Sequence, residues 1–116
     1  MLTALAQAER FGVIAIRARS IARHLRYLRQ MGLMERFAGE RPLEMSVAES
    51  ASGEHTLEKM IAAGRALKEI DGAGAIVMGC AGMARHRRPL EEALGVPVID
   101  PTQAAAAMAL GVVATR

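Results

Sequence analysis

Patterns typical of buried strands alternate with helical patterns along the chain. Two runs are apolar throughout, Phe11–Ile16 and Ala75–Gly79, which is typical of strands covered on both faces in a parallel sheet. Apolar and polar residues alternate loosely over Leu43–Ala48, which predicts another strand. Val96–Ile99 is the fourth predicted strand, with Pro97 at a position where the sheet needs no donor.

Helical patterns fill the intervals between these strands. Met1–Glu9 predicts a short helix. A second helix is expected to run from an N-cap at Ser20 to Met31, with Gly32 as its C-terminal stop. We therefore expect one crossover helix between the first two strands.

A polar loop is expected at Glu49–Gly53, followed by a long amphipathic helix that reaches about Ile70. The residues expected on its inward face are Leu57, Met60, Ile61, Gly64 and Leu67. The next helix ends at Leu94, and the pattern allows a start at Pro89 or an earlier start near Ala84 with a kink at the proline.

The final helix is expected over Thr102–Val113, with Asp100 as its N-cap and Pro101 as its first residue. Strands separated by helical crossovers require a parallel sheet with right-handed connections. The sequence therefore predicts one α/β domain over residues 1–116, built as a four-stranded parallel sheet flanked by helices. Apolar residues make up 52% of the chain, which is enough for a core and excludes a disordered chain.

The net charge of +3 is unevenly distributed. Residues 1–41 carry eight arginines against three glutamates, and the stretch from Arg17 to Arg29 holds five arginines and no acid. Helical spacing places Arg23 and Arg26 opposite Leu25, which favours a solvated helix face over a nucleic-acid surface. Aromatic residues are only 3% of the chain, too few for base-stacking platforms, so we expect no nucleic-acid partner.

Cys80 is the only cysteine, which excludes an intrachain disulfide and leaves too few ligands for a cysteine-based zinc site. The most apolar stretch, Ala104–Ala114, is too short to span a bilayer, and Glu9 and Arg10 interrupt any signal-peptide core. We expect a cytoplasmic protein that does not associate with a membrane and needs no metal.

In open parallel sheets, ligands bind beyond the carboxyl ends of the strands. Cys80 lies at one such end, between Gly79 and Gly82, where missing side chains let a ligand approach the backbone. The backbone amides of residues 81–83 and the basic residues from Arg85 to Arg88 would favour its thiolate form. An inert packing thiol is the alternative interpretation.

Other polar residues at the strand ends have simpler interpretations. Ser20, Ser50, Ser52 and Thr102 are explained as helix caps or loop groups, although a cap can also present backbone amides to an anion. His24 and His55 lack a second ligand at metal spacing, and no glycine-rich phosphate loop is present.

The run from Val77 to Leu110, with its Gly-Cys-Ala-Gly element and Gly-Val-Pro-Val-Ile-Asp strand, resembles the second lobe of the aspartate/glutamate racemase superfamily. It is most similar to the hydantoin and allantoin racemase branch. The upstream residues fit as well, with an apolar strand at Phe11–Ile16 and a helix opened by Arg19 and Ser20.

This resemblance implies racemisation or epimerisation at a carbon beside a carbonyl, without a metal or cofactor. Two cysteines flank that carbon in the family; one thiolate removes a proton and the other thiol delivers one to the opposite face. Cys80 matches the second of them, and backbone amides around Gly79, Ala81 and Gly82 would help to hold the anionic or hydantoin-like substrate, with Ser20 as a further expected binding residue.

The chain departs from the family pattern in two ways. It resembles only the second lobe, so the first lobe and its cysteine are absent, as in a fragment or a truncated gene product. The threonines that the family has at the strand end are replaced by Ala15 and Ile16. We therefore expect the chain alone to be inactive or feebly active, and to associate with a first lobe or with a second copy of itself.

Two other functions remain open from the sequence. Decarboxylases of the same superfamily keep a single cysteine at the position of Cys80 and would use it to protonate an enediolate. A non-catalytic domain that binds a small anion or a protein partner would have an ordinary thiol there.

Overall fold

The computed structural model describes residues 1–53 and 55–116. Its centre is a sheet of four parallel strands in the order β2-β1-β3-β4. The strands are β1 (Phe11–Ala15), β2 (Phe37–Pro42), β3 (Ala75–Met78) and β4 (Val98–Ile99). All residues of the two central strands β1 and β3 are buried, which confirms the sequence interpretation of their continuous apolar runs.

Helices cover both faces of this sheet. They are α1 (Leu2–Leu5), α2 (Ile21–Gln30), α3 (Val47–Ser52), α4 (Thr56–Glu69), α5 (Arg87–Leu94) and α6 (Pro101–Ala114). Short 3-10 turns lead into α2, β2 and α5, at Ala18–Ser20, Met34–Arg36 and Ala81–His86. The α/β class predicted from the sequence is confirmed.

The core consists of two clusters, one on each face of the sheet. On one face Phe11, Val13 and Val77 pack with Leu28 of α2 and Ala4 of α1. On the opposite face α4 and α5 pack on the sheet through apolar residues that include Met60, Leu67, Leu90 and Leu94. The inward face predicted for α4 is confirmed, since Met60, Gly64 and Leu67 are buried.

The position predicted for the second strand was wrong. The strand occupies Phe37–Pro42 rather than Leu43–Ala48. Leu43 and Met45 are buried as their alternation suggested, but Glu44 between them has a left-handed φ of 55°, which ends the regular strand. As an edge strand β2 is only partly buried, so its pattern is weak.

The segment predicted as a polar loop is the helix α3. Ser46 and Glu49 form a capping box, in which each side chain accepts a hydrogen bond from the other residue's backbone N–H. The Ser-x-x-Glu spacing is the sequence signal for this helix. It conflicts with the strand and the loop predicted for the same residues, and the structure follows the capping signal.

The N-cap role predicted for Ser20 was also wrong. Ser20 has helical dihedral angles and its side chain makes no cap hydrogen bond, because the 3-10 turn Ala18–Ser20 already starts the helix. The stop at Gly32 is confirmed, since its φ of 69° lets the N–H groups of Gly32 and Leu33 bond to the last turn. The α-helix that ends at Leu94 begins at Arg87, which lies between the two predicted starts, Ala84 and Pro89. A 3-10 turn over Ala81–His86 precedes it.

The last helix, α6, leaves the body of the fold after its first turn. Asp100 caps it as predicted, accepting the Gln103 N–H at 2.9 Å, and Ala104 packs against the core. Every residue from Ala105 to Arg116 is exposed, although most of them are apolar. No helix that the structure describes is long and apolar enough to cross a membrane.

Candidate active site

Cys80 lies two residues beyond the end of β3, in an extended conformation that starts the 3-10 turn Ala81–His86. The preceding Gly79 lies against β1: its N–H donates to the Ile14 carbonyl at 2.8 Å, and a Cβ atom there would lie 2.6 Å from the same oxygen. The half-buried Cys80 Sγ accepts a hydrogen bond from the Gly82 N–H at 3.4 Å. This hydrogen bond holds the sulfur at the start of the turn.

A cleft of about 350 Å³ opens at the carboxyl ends of β1 and β3. Cys80 and Gly79 line it from β3, and Ser20 and His24 line it from the turn and helix that follow β1. Ser46 and Val47 at the start of α3 close another side. The cleft therefore lies where ligands bind in open parallel sheets.

Positive charge reaches this cleft from three arginines, Arg17, Arg19 and Arg23. Arg17 is held in place by a hydrogen bond from its Nε to the Met45 carbonyl, at 3.1 Å. A cleft lined by one sign of charge concentrates ligands of the opposite sign. The arginine-rich stretch that the sequence suggested as a solvated face thus also lines the candidate site.

The basic residues after Cys80 are engaged elsewhere. Arg85 donates to the Ala51 carbonyl, the buried His86 is bonded to the Ser50 carbonyl, and Arg87 pairs with Glu91. These contacts dock the 3-10 turn on α3 and support α5. The arginines that line the cleft beside Cys80 therefore come from the turn and helix after β1 rather than from residues 85–87.

The start of α3 is fixed by its capping box. Hydrogen bonds from the Ser46 backbone N–H and from its hydroxyl lower the pKa of Glu49 below its ordinary value, so this carboxylate stays charged at neutral pH. Because Ser46 and Val47 line the cleft, the box also holds one of its walls.

His24 has a partner that the sequence did not indicate. Its Nδ1 is hydrogen-bonded to Oε1 of Glu40, which reaches it from β2. The Glu40 side chain is 1% exposed and that of His24 17% exposed. The two residues are 16 positions apart, and the strand that carries Glu40 was predicted elsewhere, so spacing alone could not pair them.

The structure brings together three of the predicted site residues, Ser20, Gly79 and Cys80, in the lining of the cleft. Gly82 contacts the thiol through its N–H, and Ala81 lies between them in the same turn. The Gly79 N–H is occupied by the Ile14 carbonyl, so Gly79 offers space rather than a donor. Within residues 1–53 and 55–116, no group of three or more His, Cys, Asp or Glu side chains could hold a metal ion.

The fold and the cleft define a parallel α/β lobe with its single cysteine at the end of a central strand. The chain belongs to the Asp/Glu/hydantoin racemase family, whose family model matches residues 1–109.

Within this family, the chain is 40% identical over 106 residues to a hydantoin racemase from Paenarthrobacter aurescens, covering 90% of this chain and 44% of that protein. Two solved structures of allantoin racemases match 98% of this chain. The protein from Klebsiella pneumoniae has a TM-score of 0.87 with 34% identity, and that from Pseudomonas fluorescens has a TM-score of 0.92 with 27% identity. The chain covers 47% and 49% of those two structures, so it spans less than half the length of all three relatives.

Proposed function

We propose that this chain supplies the Cys80 half of a cofactor-independent racemase or epimerase site for hydantoin-like or amino-acid-like substrates. The observation that carries the proposal is the placement of Cys80: a half-buried thiol with a backbone N–H on its sulfur, in a basic cleft at the end of a central parallel strand. Membership of the racemase family supports the reaction class.

The proposed chemistry is proton transfer at a carbon beside a carbonyl. The Cys80 thiolate removes the proton from one face of this carbon, the electron pair moves onto the carbonyl oxygen, and an acid on the opposite face returns a proton to carbon. The Ala81 N–H and the Ser20 hydroxyl would hold the ring or carboxylate, while Gly79 and Gly82 keep the approach to sulfur open. Cys80 can serve only one face, so the opposite group comes from a second lobe.

We further propose that α6 is the docking surface for this second lobe. Leu110 is 70% exposed and Val113 65% exposed on a helix that contacts little of its own chain, which is unusual for large apolar residues. The allantoin racemase structures match 98% of this chain and extend over about as much chain again, which is long enough for a further lobe. A second copy of this chain is the competing occupant.

Substituting the docking surface is expected to weaken that association without unfolding the chain. Leu110→Glu places a charge on the exposed face of α6, and burying a leucine of this kind contributes about 2 kcal/mol. In a chimera that carries this chain in place of the matched part of the P. aurescens enzyme, this variant should lower the Tm by several degrees. Gln103→Glu, an exposed polar position on the same helix, is the control.

Sedimentation of the chain alone decides between the two occupants. A monomer supports docking to a second lobe. A dimer that Leu110→Glu dissociates would instead assign α6 to self-association.

Alkylation of Cys80 by iodoacetamide tests the catalytic proposal directly, because Cys80 is the only thiol in the chain. We expect hydantoin to slow alkylation of the folded chain roughly tenfold at ten times its Kd, since the bound ligand covers the sulfur. The urea-unfolded chain is the control and should react at the same rate with and without hydantoin.

Equal rates in the folded chain would contradict the proposal. Protection by malonate alone would instead indicate a decarboxylase of the same superfamily.

A further inference from the structure

We propose that His24 is a second acid/base group of the Cys80 cleft and that Glu40 is the residue that positions it. This inference rests on the proposed function, because it assigns a further role within the same cleft. It is carried by the buried His24–Glu40 pair and by the presence of His24 in the cleft lining.

The Glu40 side chain is buried, in a position where a carboxyl group loses its hydration. It is 1% exposed, its Oε1 is bonded to His24, and its Oε2 has no hydrogen-bond partner among the described residues. Burying a polar atom without a hydrogen-bond partner destabilises the folded state. A glutamate that served only to fill the space under α2 could be replaced by an apolar residue at no such cost.

The pair fixes the direction in which His24 can act. The Nδ1 atom of His24 is hydrogen-bonded to Oε1 of Glu40. This leaves Nε2 as the ring nitrogen without a hydrogen-bond partner among the described residues, free to exchange a proton with a ligand. An imidazole oriented by a buried carboxylate is the arrangement that proteins use to make histidine an acid/base group.

The position of His24 suits a role complementary to that of Cys80. The thiol comes from the end of β3 and the imidazole from α2, so the two approach the cleft from different elements. When the Cys80 thiolate takes the proton from carbon, the electron pair moves to the carbonyl oxygen of the substrate. His24 Nε2–H would then donate its hydrogen bond, or its proton, to that oxygen, and the proton returns to Nε2 when carbon is reprotonated.

Charged groups of both signs surround this site. Arg17, Arg19 and Arg23 line the same cleft. Glu44 lies beside the turn, where it accepts the Ala18 N–H, and Glu40 contacts the imidazole itself.

The test is the pH profile of Cys80 alkylation by iodoacetamide, with and without hydantoin, in the wild-type chain and three variants. We expect the wild-type rate to show a step that depends on the imidazole of His24. His24→Gln should remove this step, and the isosteric Glu40→Gln should displace it. His55→Gln is the matched control, because His55 also pairs with a glutamate, Glu58, but both side chains are 78% exposed.

The hydantoin concentration for half protection should rise about tenfold in His24→Gln, as expected for loss of one charge-assisted hydrogen bond. A His24→Gln chain that matches His55→Gln in both profile and protection would overturn the inference. If hydantoin protects no variant, the proposed function fails, while the step in the profile still decides the role of His24. Circular dichroism of Glu40→Gln checks that the change leaves the fold intact.

Discussion

Cys80→Ser is expected to abolish racemisation by a chimera in which this chain replaces the 106 matched residues of the P. aurescens hydantoin racemase. Serine has nearly the shape of cysteine, but its hydroxyl is a far weaker acid and would not form the base that takes a proton from carbon. General acid–base groups contribute about 10²–10⁴ to rates, and racemisation needs groups on both faces. We therefore expect the rate to fall by at least about 10³.

The measurement is the loss of optical rotation of a single hydantoin enantiomer. Ser52→Ala is the control, since Ser52 is exposed and its hydroxyl only bonds to the Ala48 carbonyl of the same helix. A Cys80→Ser chimera that retains activity within tenfold of the parent chimera would exclude Cys80 as the acid/base group.

Gly79→Ala should destabilise the fold more than any other small change beside the thiol. The added Cβ would lie 2.6 Å from the Ile14 carbonyl oxygen, which is backbone of the central strand β1 and cannot rotate away. The hydrogen bond from Gly79 N–H to the same oxygen would be stretched or lost. We expect a decrease of about 3 kcal/mol in the free energy of unfolding, a large share of the stability of a small domain.

Urea denaturation of the two variants Gly79→Ala and Gly82→Ala tests this expectation. At Gly82 the added Cβ would meet its nearest neighbours, Ser50 Oγ and Cys80 Sγ, at 3.4 and 3.5 Å, which are ordinary contacts. This variant should unfold within about 1 kcal/mol of wild type. Equal stability of both variants would show that β1 moves to accommodate a side chain at the strand end.

Much of the fold could be predicted because the central strands carry strong signals. The apolar runs of β1 and β3 have no polar residue to confuse their assignment, and the Asp100-Pro101 pair fixes the start of α6. The edge strand could not be predicted in the same way. Its residues are only partly buried, so its hydrophobic pattern is weak. In the sequence Arg41 suggests a surface residue, whereas in the structure it makes paired hydrogen bonds to Asp71, just after α4.

The error in β2 also limited what the sequence showed of the site. Cys80 was found because its position depends on β3 and on the rule that ligands bind at the carboxyl ends of parallel strands. The sequence shows no second ligand at metal spacing for His24, and its partner Glu40 lies on the misplaced strand. A polar pair formed across two elements can be recognised only when both elements are correctly placed.

Because most of α6 is exposed, its helical folding is expected to depend on the partner that covers it. Helices of about 12–15 residues are marginal in water on their own, and this one also contains Gly111, which lowers helix propensity by about 1 kcal/mol relative to alanine. From Ala105 onward its residues are exposed and the described hydrogen bonds are local to the helix, including those from the Thr115 hydroxyl, so we expect its C-terminal end to fray in the unassembled chain. Association would then include a helix–coil transition, whose entropic cost lowers the affinity and makes the helical content of the chain a direct readout of assembly.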